Sequence, residues 1–164
     1  MLIGVPKEVK THEYRVGLTP GSVREIVHHG HEVMVEAGAG TGVGFEDASY
    51  EAVGARILPS KTEVFAAAEL IVKVKEPQPQ EAAALREGQV LFTYLHLAAD
   101  KVLAQALVRS GVIAIAYETV TDARGGLPLL AQSGFKLRPL AAQLGHLVRQ
   151  LLGAQPAGRQ FLFQ

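Results

Sequence analysis

Residue types that suit the binding and protonation of a small acid follow predicted strands in this sequence. Arg15 and Lys75 together could hold a carboxylate, because arginine offers a planar two-point fork and lysine a compact charge. His96 lies in a mostly apolar stretch, where a histidine suits general acid/base chemistry. The residues alone leave the alternatives open: two solvated cations, and a packed histidine bonded to a backbone carbonyl.

The glycine-rich residues 38–44 (GAGTGVG) follow a predicted strand and precede a predicted helix, as a dinucleotide-binding fingerprint does. Counted from Gly38, the pattern G-x-G-x-x-G needs a glycine at the position of Val43, and it also fails from Gly40 and Gly42. We interpret this segment as a flexible turn whose glycines permit positive φ. We therefore assign no NAD to it.

Three nearby histidines, His28, His29 and His31, resemble a metal cluster. His28 and His29 diverge around a predicted helix, while His31 lies beyond Gly30, and no carboxylate completes the set. We predict solvated histidines at a helix end and no metal site.

Short β-branched runs alternate with amphipathic helical stretches, which is typical of a parallel sheet with helices on both faces. The predicted fold is α/β, doubly wound and mainly parallel, flavodoxin-like or Rossmann-like, as a single domain followed by a C-terminal linker helix. Predicted strands cover residues 2–5, 32–36, 56–58, 69–75, 89–94 and 112–116, and predicted helices cover residues 20–29, 47–53, 61–68, 81–86, 100–108 and 137–152.

Ligands of such sheets bind beyond the carboxyl ends of the strands, where the loops converge. Arg15 lies on the loop after the first strand, and Lys75 ends the fourth. Tyr94 ends the next strand and His96 lies just beyond it, and Tyr117-Glu118 follows the last strand. We therefore expect most candidate functional groups to lie on one rim.

Composition narrows the class of partner. The 164 residues suit one domain with a real core, and 16 Lys plus Arg balance 16 Asp plus Glu, which disfavours nucleic acid and anionic lipid as partners. The sequence has no cysteine and so cannot form disulfides. No apolar run approaches the roughly 20 residues of a membrane-spanning helix, and the N-terminal residues lack the apolar core of a signal peptide. We expect a cytoplasmic chain without a membrane partner that binds a small neutral or zwitterionic ligand.

Several motifs, taken together, resemble the N-terminal part of alanine dehydrogenases. They are residues 3–8 (IGVPKE), 13–20 (EYRVGLTP), 73–77 (KVKEP), 91–99 (LFTYLHLAA) and 115–119 (IAYET). The resemblance runs from residue 1 to about residue 130. It is specific, because several separate motifs occur in the same order as in that family. Nicotinamide nucleotide transhydrogenases share the start of the pattern less closely.

The resemblance implies roles for individual residues. Arg15 and Lys75 bind the carboxylate of pyruvate or L-alanine, with Tyr94 beside them, while His96 and Lys75 are catalytic and His96 is the acid/base group. The implied reaction converts alanine, NAD and water to pyruvate, ammonia and NADH.

We expect residues 1–130 to form the substrate-binding domain and residues 131–164 to be an altered interdomain linker helix and the start of a missing NAD-binding domain. The family usually has TPMSE where this chain has residues 131–134 (AQSG). Such a chain would bind NAD weakly, be inactive alone and self-associate. The alternatives are a non-catalytic binding or assembly module, and a subunit of a split transhydrogenase-like enzyme completed by an NAD-binding chain.

Overall fold

The structure, a computed structural model, describes residues 1–121 and 124–127. Within these ranges no helix is long and apolar enough to cross a membrane. Strands and helices alternate in the order β1 (Leu2–Val5), α1 (Pro20–His28), β2 (Glu32–Glu36), α2 (Asp47–Glu51), β3 (Arg56–Leu58), α3 (Lys61–Ala67), β4 (Leu70–Val72), α4 (Pro79–Ala83), β5 (Val90–Thr93), α5 (Lys101–Ser110) and β6 (Ile113–Ala116).

The six strands form one sheet in the order β3-β2-β1-β4-β5-β6. Every pairing is parallel. The strand order reverses between β1 and β4, so the loops that follow these two strands diverge and leave a crevice at the carboxyl edge. This topology confirms the predicted Rossmann-like α/β fold.

Both faces of the sheet are buried, as the apolar runs of the strands predict. One core cluster joins alternate strand residues to α1 and α2 and includes Ile3, Val5, Val23, Ile26, Tyr50, Leu70 and Val72. The opposite cluster joins the remaining strand positions to α3, α4 and α5 and includes Val64, Phe65, Ile71, Ala82, Leu91, Leu103 and Leu107. Helices on both faces are therefore confirmed.

Most predicted bounds outside β1, β2 and β3 differ from the structure by one to three residues, and two of these differences have a clear physical cause. Strand β4 stops at Val72 and not at residue 75, because the Val74 N–H donates to the Glu8 carboxylate at 2.7 Å and not to a neighbouring strand. Helix α4 begins at Pro79 and not at residue 81, because Gln78 and Glu81 form a capping box and proline suits the first helical position. The predicted linker helix, residues 137–152, lies outside the described residues.

Candidate functional site

The predicted site residues lie on loops at the carboxyl edges of β1, β4 and β5. Arg15 belongs to the loop between β1 and α1, and Lys75 follows β4 on the other side of the reversal in strand order. Tyr94 and His96 come directly after β5. The expectation of one shared rim therefore agrees with the topology.

Arg15 is held by a neighbouring carboxylate. Its Nε and Nη2 atoms donate to Glu13 Oε1 and Oε2 at 2.7 and 2.6 Å, and its backbone N–H donates to Oε1 at 3.0 Å. The two side chains are only 14% and 7% exposed. Burial acts to raise the pKa of Glu13, but the hydrogen bonds and charge of Arg15 outweigh it and lower that pKa overall. The pair therefore fixes the guanidinium on the rim.

Lys75, Tyr94 and His96 form a second group of contacts. Lys75 Nζ lies 4.9 Å from the centre of the Tyr94 ring, within range of a cation–π interaction. The Tyr94 and His96 rings are stacked, with centres 5.7 Å apart and planes 19° apart. The charge of Lys75 also helps to lower the pKa of Glu13, which places the two groups in one electrostatic environment.

The His96 side chain is exposed and its Nδ1 lies 3.4 Å from the Tyr94 hydroxyl. The alternative of a packed histidine bonded to a backbone carbonyl is therefore not the arrangement in this structure. An exposed imidazole stacked on a tyrosine ring is suitably placed to exchange a proton with a ligand on the rim.

Tyr117 packs beneath Lys75 and Tyr94 on the side of the protein interior, a role that the sequence analysis missed. It is 1% exposed, and its hydroxyl donates to the Val74 carbonyl at 2.7 Å. Its ring centre lies 6.1 Å from that of Tyr94. Burial raises the pKa of Tyr117, so the hydroxyl stays protonated as a donor. Tyr117 thus ties the end of β6 to the segment that carries Lys75.

A buried cluster of charges joins the first loop to the end of β4. Lys73 is fully buried, and its Nζ donates to Glu8 at 3.0 Å and to Glu81 at 2.9 Å. Burial acts to lower the pKa of Lys73, but the two carboxylates outweigh it and raise that pKa. The sequence analysis missed this cluster; an alternation of lysine and valine over residues 72–75 is its only local signal.

The glycine-rich loop packs against the loop that carries Arg15. Gly38 and Gly44 have φ of 68° and 80°, as the turn interpretation predicts. At Gly42, however, a Cβ atom would lie 2.7 Å from the Tyr14 carbonyl oxygen, so this glycine permits a close approach of two backbones. The loop is better described as a packed support than as a flexible turn.

The same loop does not fit the pyrophosphate of NAD. Asp47 Oδ1 accepts the Gly38 N–H at 2.8 Å, and Asp47 is an acidic residue in the first turn of α2. A carboxylate there occupies an amide that a phosphate would need and repels its charge. Among the described residues, no group of three or more potential ligands is arranged to hold a metal, and this includes His28, His29 and His31.

Comparison with known proteins gives consistent matches. Residues 4–135 match the family described as "Alanine dehydrogenase/PNT, N-terminal domain". The chain is 54% identical over 145 residues to the alanine dehydrogenase of Halomonas elongata, covering 88% of this chain and 39% of that protein. The alanine dehydrogenase of Bacillus subtilis is also 54% identical over 145 residues, covering 88% of this chain and 38% of its own.

Solved structures agree with these matches. A solved L-alanine dehydrogenase is 52% identical, with a TM-score of 0.77, over 79% of this chain and 36% of that chain. A transhydrogenase from Sinorhizobium meliloti is 30% identical, with a TM-score of 0.70, over 76% and 37%. The chain thus spans about two fifths of the length of the curated relatives cited. It belongs to the alanine dehydrogenase/PNT family and carries that family's N-terminal domain.

Proposed function

We propose that residues 1–130 act as the substrate-binding domain of an alanine dehydrogenase and bind pyruvate and L-alanine at the rim. The observation that carries this proposal is the placement of Arg15 and Lys75 on the two loops that flank the reversal in strand order. Membership of the family and 54% identity to two alanine dehydrogenases support the choice of ligand.

Arg15 and Lys75 bind the carboxylate of the ligand in this proposal. Glu13 fixes the plane of the guanidinium, and the Tyr94 ring supports the Lys75 ammonium at 4.9 Å. Groups that are already oriented lose little entropy when the ligand arrives, which favours binding.

His96 is the proposed acid/base group. It would donate a proton to the C2 oxygen of pyruvate as ammonia adds at C2 and that oxygen leaves as water, and in the reverse direction it would take a proton from the water that adds at C2. In a full-length alanine dehydrogenase, bound NAD would supply the hydride chemistry at C2. The glycine-rich loop, the one fingerprint candidate in the sequence, does not fit that cofactor, so we assign no NAD contact to the described residues.

Calorimetric titration of the 164-residue chain with pyruvate tests the proposal. We expect saturable binding by the wild type, weakened in Arg15→Ala and in Lys75→Ala by about ten- to a hundredfold, because each removes charge-assisted hydrogen bonds worth about 1.5–3 kcal/mol. Arg15→Lys should also bind weakly, because an ammonium cannot bind Glu13 at two points and at the same time present further donors to the ligand in a fixed plane.

Arg24→Ala is the matched control, because Arg24 lies on α1 with a side chain that is 70% exposed. Its affinity for pyruvate should equal that of the wild type. Absence of heat from the wild type at millimolar pyruvate, or equal weakening by Arg15→Ala and Arg24→Ala, contradicts the proposal.

A further inference from the structure

The backbone of His96 has an unusual conformation for its residue type. Its φ of 49° and ψ of 40° lie in the left-handed region, which residues with a Cβ seldom adopt. Among the described residues that are not glycine, only His12 shares a positive φ. Such a conformation persists when surrounding contacts hold it in place. The turn that presents the imidazole therefore needs a partner.

Glu118 provides that partner. Its Oε1 accepts the N–H groups of Leu95 and His96 at 3.0 and 2.9 Å. Each N–H group therefore donates to a carboxylate, and hydrogen bonds to a charged acceptor are about twice as strong as neutral ones.

The register of the sheet explains why Glu118 reaches this turn. Strands β5 and β6 are parallel, and Thr93 pairs with Ala116 at the carboxyl edge. Leu95 and Glu118 each lie two residues beyond that pair, where the strand ladder has ended. The Glu118 carboxylate therefore accepts these hydrogen bonds where a backbone carbonyl of β6 would accept them if that strand continued.

We propose that Glu118 is a positioning residue for His96. By holding the N–H groups of residues 95 and 96, it keeps the left-handed turn that stacks the imidazole on Tyr94. Glu118 acts on the backbone, not on the ligand. Its importance for pyruvate binding rests on the function proposed above, whereas its hold on the turn does not.

Two variants separate the charge of Glu118 from its hydrogen bonds: Glu118→Gln removes the charge and keeps an accepting oxygen, whereas Glu118→Ala removes both. Oε1 makes both hydrogen bonds, while Oε2 is buried and makes none to the described residues, so a glutamine fits with its oxygen in the accepting position. Glu46→Ala is the matched control, because Glu46 is exposed at the same edge of the sheet and its side chain caps nothing.

The first measurement is amide NMR on the ¹⁵N-labelled 164-residue chain. The Leu95 and His96 amide protons should both change chemical shift in Glu118→Gln, because a neutral amide oxygen accepts a hydrogen bond more weakly than a carboxylate does. Hydrogen exchange at both amides should accelerate at least about tenfold in Glu118→Ala. Equal chemical shifts of both amide protons in wild type and Glu118→Gln overturn the proposal, even if Glu118→Ala fails to fold.

The second measurement is calorimetry with pyruvate. Glu118→Ala should weaken binding about tenfold, with Glu118→Gln recovering most of the loss and Glu46→Ala showing none. If His96→Ala weakens binding and Glu118→Ala does not, the positioning role is wrong. If the wild type binds no pyruvate, the proposed function fails, while the amide measurement still decides whether Glu118 holds the turn.

Discussion

Single hydrogen bonds at the rim connect strand ends that are not neighbours in sequence. The Tyr117 hydroxyl and the Val74 carbonyl are the clearest pair, because both are buried and Val74 directly precedes Lys75. Loss of the donor would leave a buried carbonyl without that partner. A buried carbonyl without a hydrogen-bond donor destabilises the folded state more than an exposed one, which water can satisfy.

Tyr117→Phe should therefore lower the free energy of unfolding by about 1–3 kcal/mol, as measured by urea denaturation. Tyr14→Phe is the control, because Tyr14 is 62% exposed and should change stability by less than about 0.5 kcal/mol. Equal stability of the two variants would show that the Tyr117 hydroxyl does not stabilise the fold.

At the scale of the element, the loop that carries Arg15 is supported from two sides. A Cβ atom at Gly17 would lie 2.6 Å from the Val72 carbonyl oxygen, and one at Gly42 would lie 2.7 Å from the Tyr14 carbonyl oxygen. Both distances are too short for a side chain, so both glycines permit backbone contact. The position of Arg15 thus depends on β4 and on the glycine-rich loop.

Gly42→Ala should displace Tyr14 and, with it, the adjacent Arg15. We expect pyruvate affinity to fall by about tenfold, with a loss of about 1–3 kcal/mol in stability from overpacking. Gly21→Ala is the control, because its Cβ would approach no atom within 3.8 Å. Unchanged affinity in Gly42→Ala would mean that the loop does not position Arg15.

Some elements could be predicted from local sequence and others could not. The bounds of β1, β2 and β3 were predicted correctly, because each is a short, mainly apolar run bounded by proline or a charged residue. The end of β4 was not, because the Val74 N–H is taken by Glu8, which lies 66 positions away in the sequence. A contact over that separation leaves no local pattern.

The candidate site divides in the same way. The rim position of Arg15, Lys75 and His96 follows from their place after predicted strands. The partners that hold them, such as Glu118 and Tyr117, depend on the register of β5 with β6 and on burial. Predicted strand bounds give neither the register between two strands nor the burial of a side chain. The sequence therefore predicted at which strand ends these candidate residues lie, while the contacts that support them required the structure.

For the molecule as a whole, acidic pH should weaken the fold. In the folded chain the pKa of Glu13 and that of Glu81 lie below the usual 4.5, because Arg15 and Lys73 respectively outweigh the effect of burial. A carboxyl group lowered in this way contributes stability above its unfolded pKa, and that stability is lost as pH falls through its folded pKa.

We therefore expect the free energy of unfolding, measured in urea, to decrease steadily as pH falls below 4.5. The decrease should be shallower in Glu13→Gln, which has no carboxyl to protonate at that position. A decrease of the same slope in Glu13→Gln and wild type would contradict the assigned cause.

The parallel sheet also has an opposite edge, where each strand begins. The turns there include Gly30 and Gly88, where an added Cβ would meet no atom within 4 Å, and the exposed Glu87. The candidate chemistry lies at the other end of the strands. Because the sequence has no cysteine, Glu87→Cys would introduce a single thiol there, through which the chain could be immobilised or labelled with its rim left open to the solution.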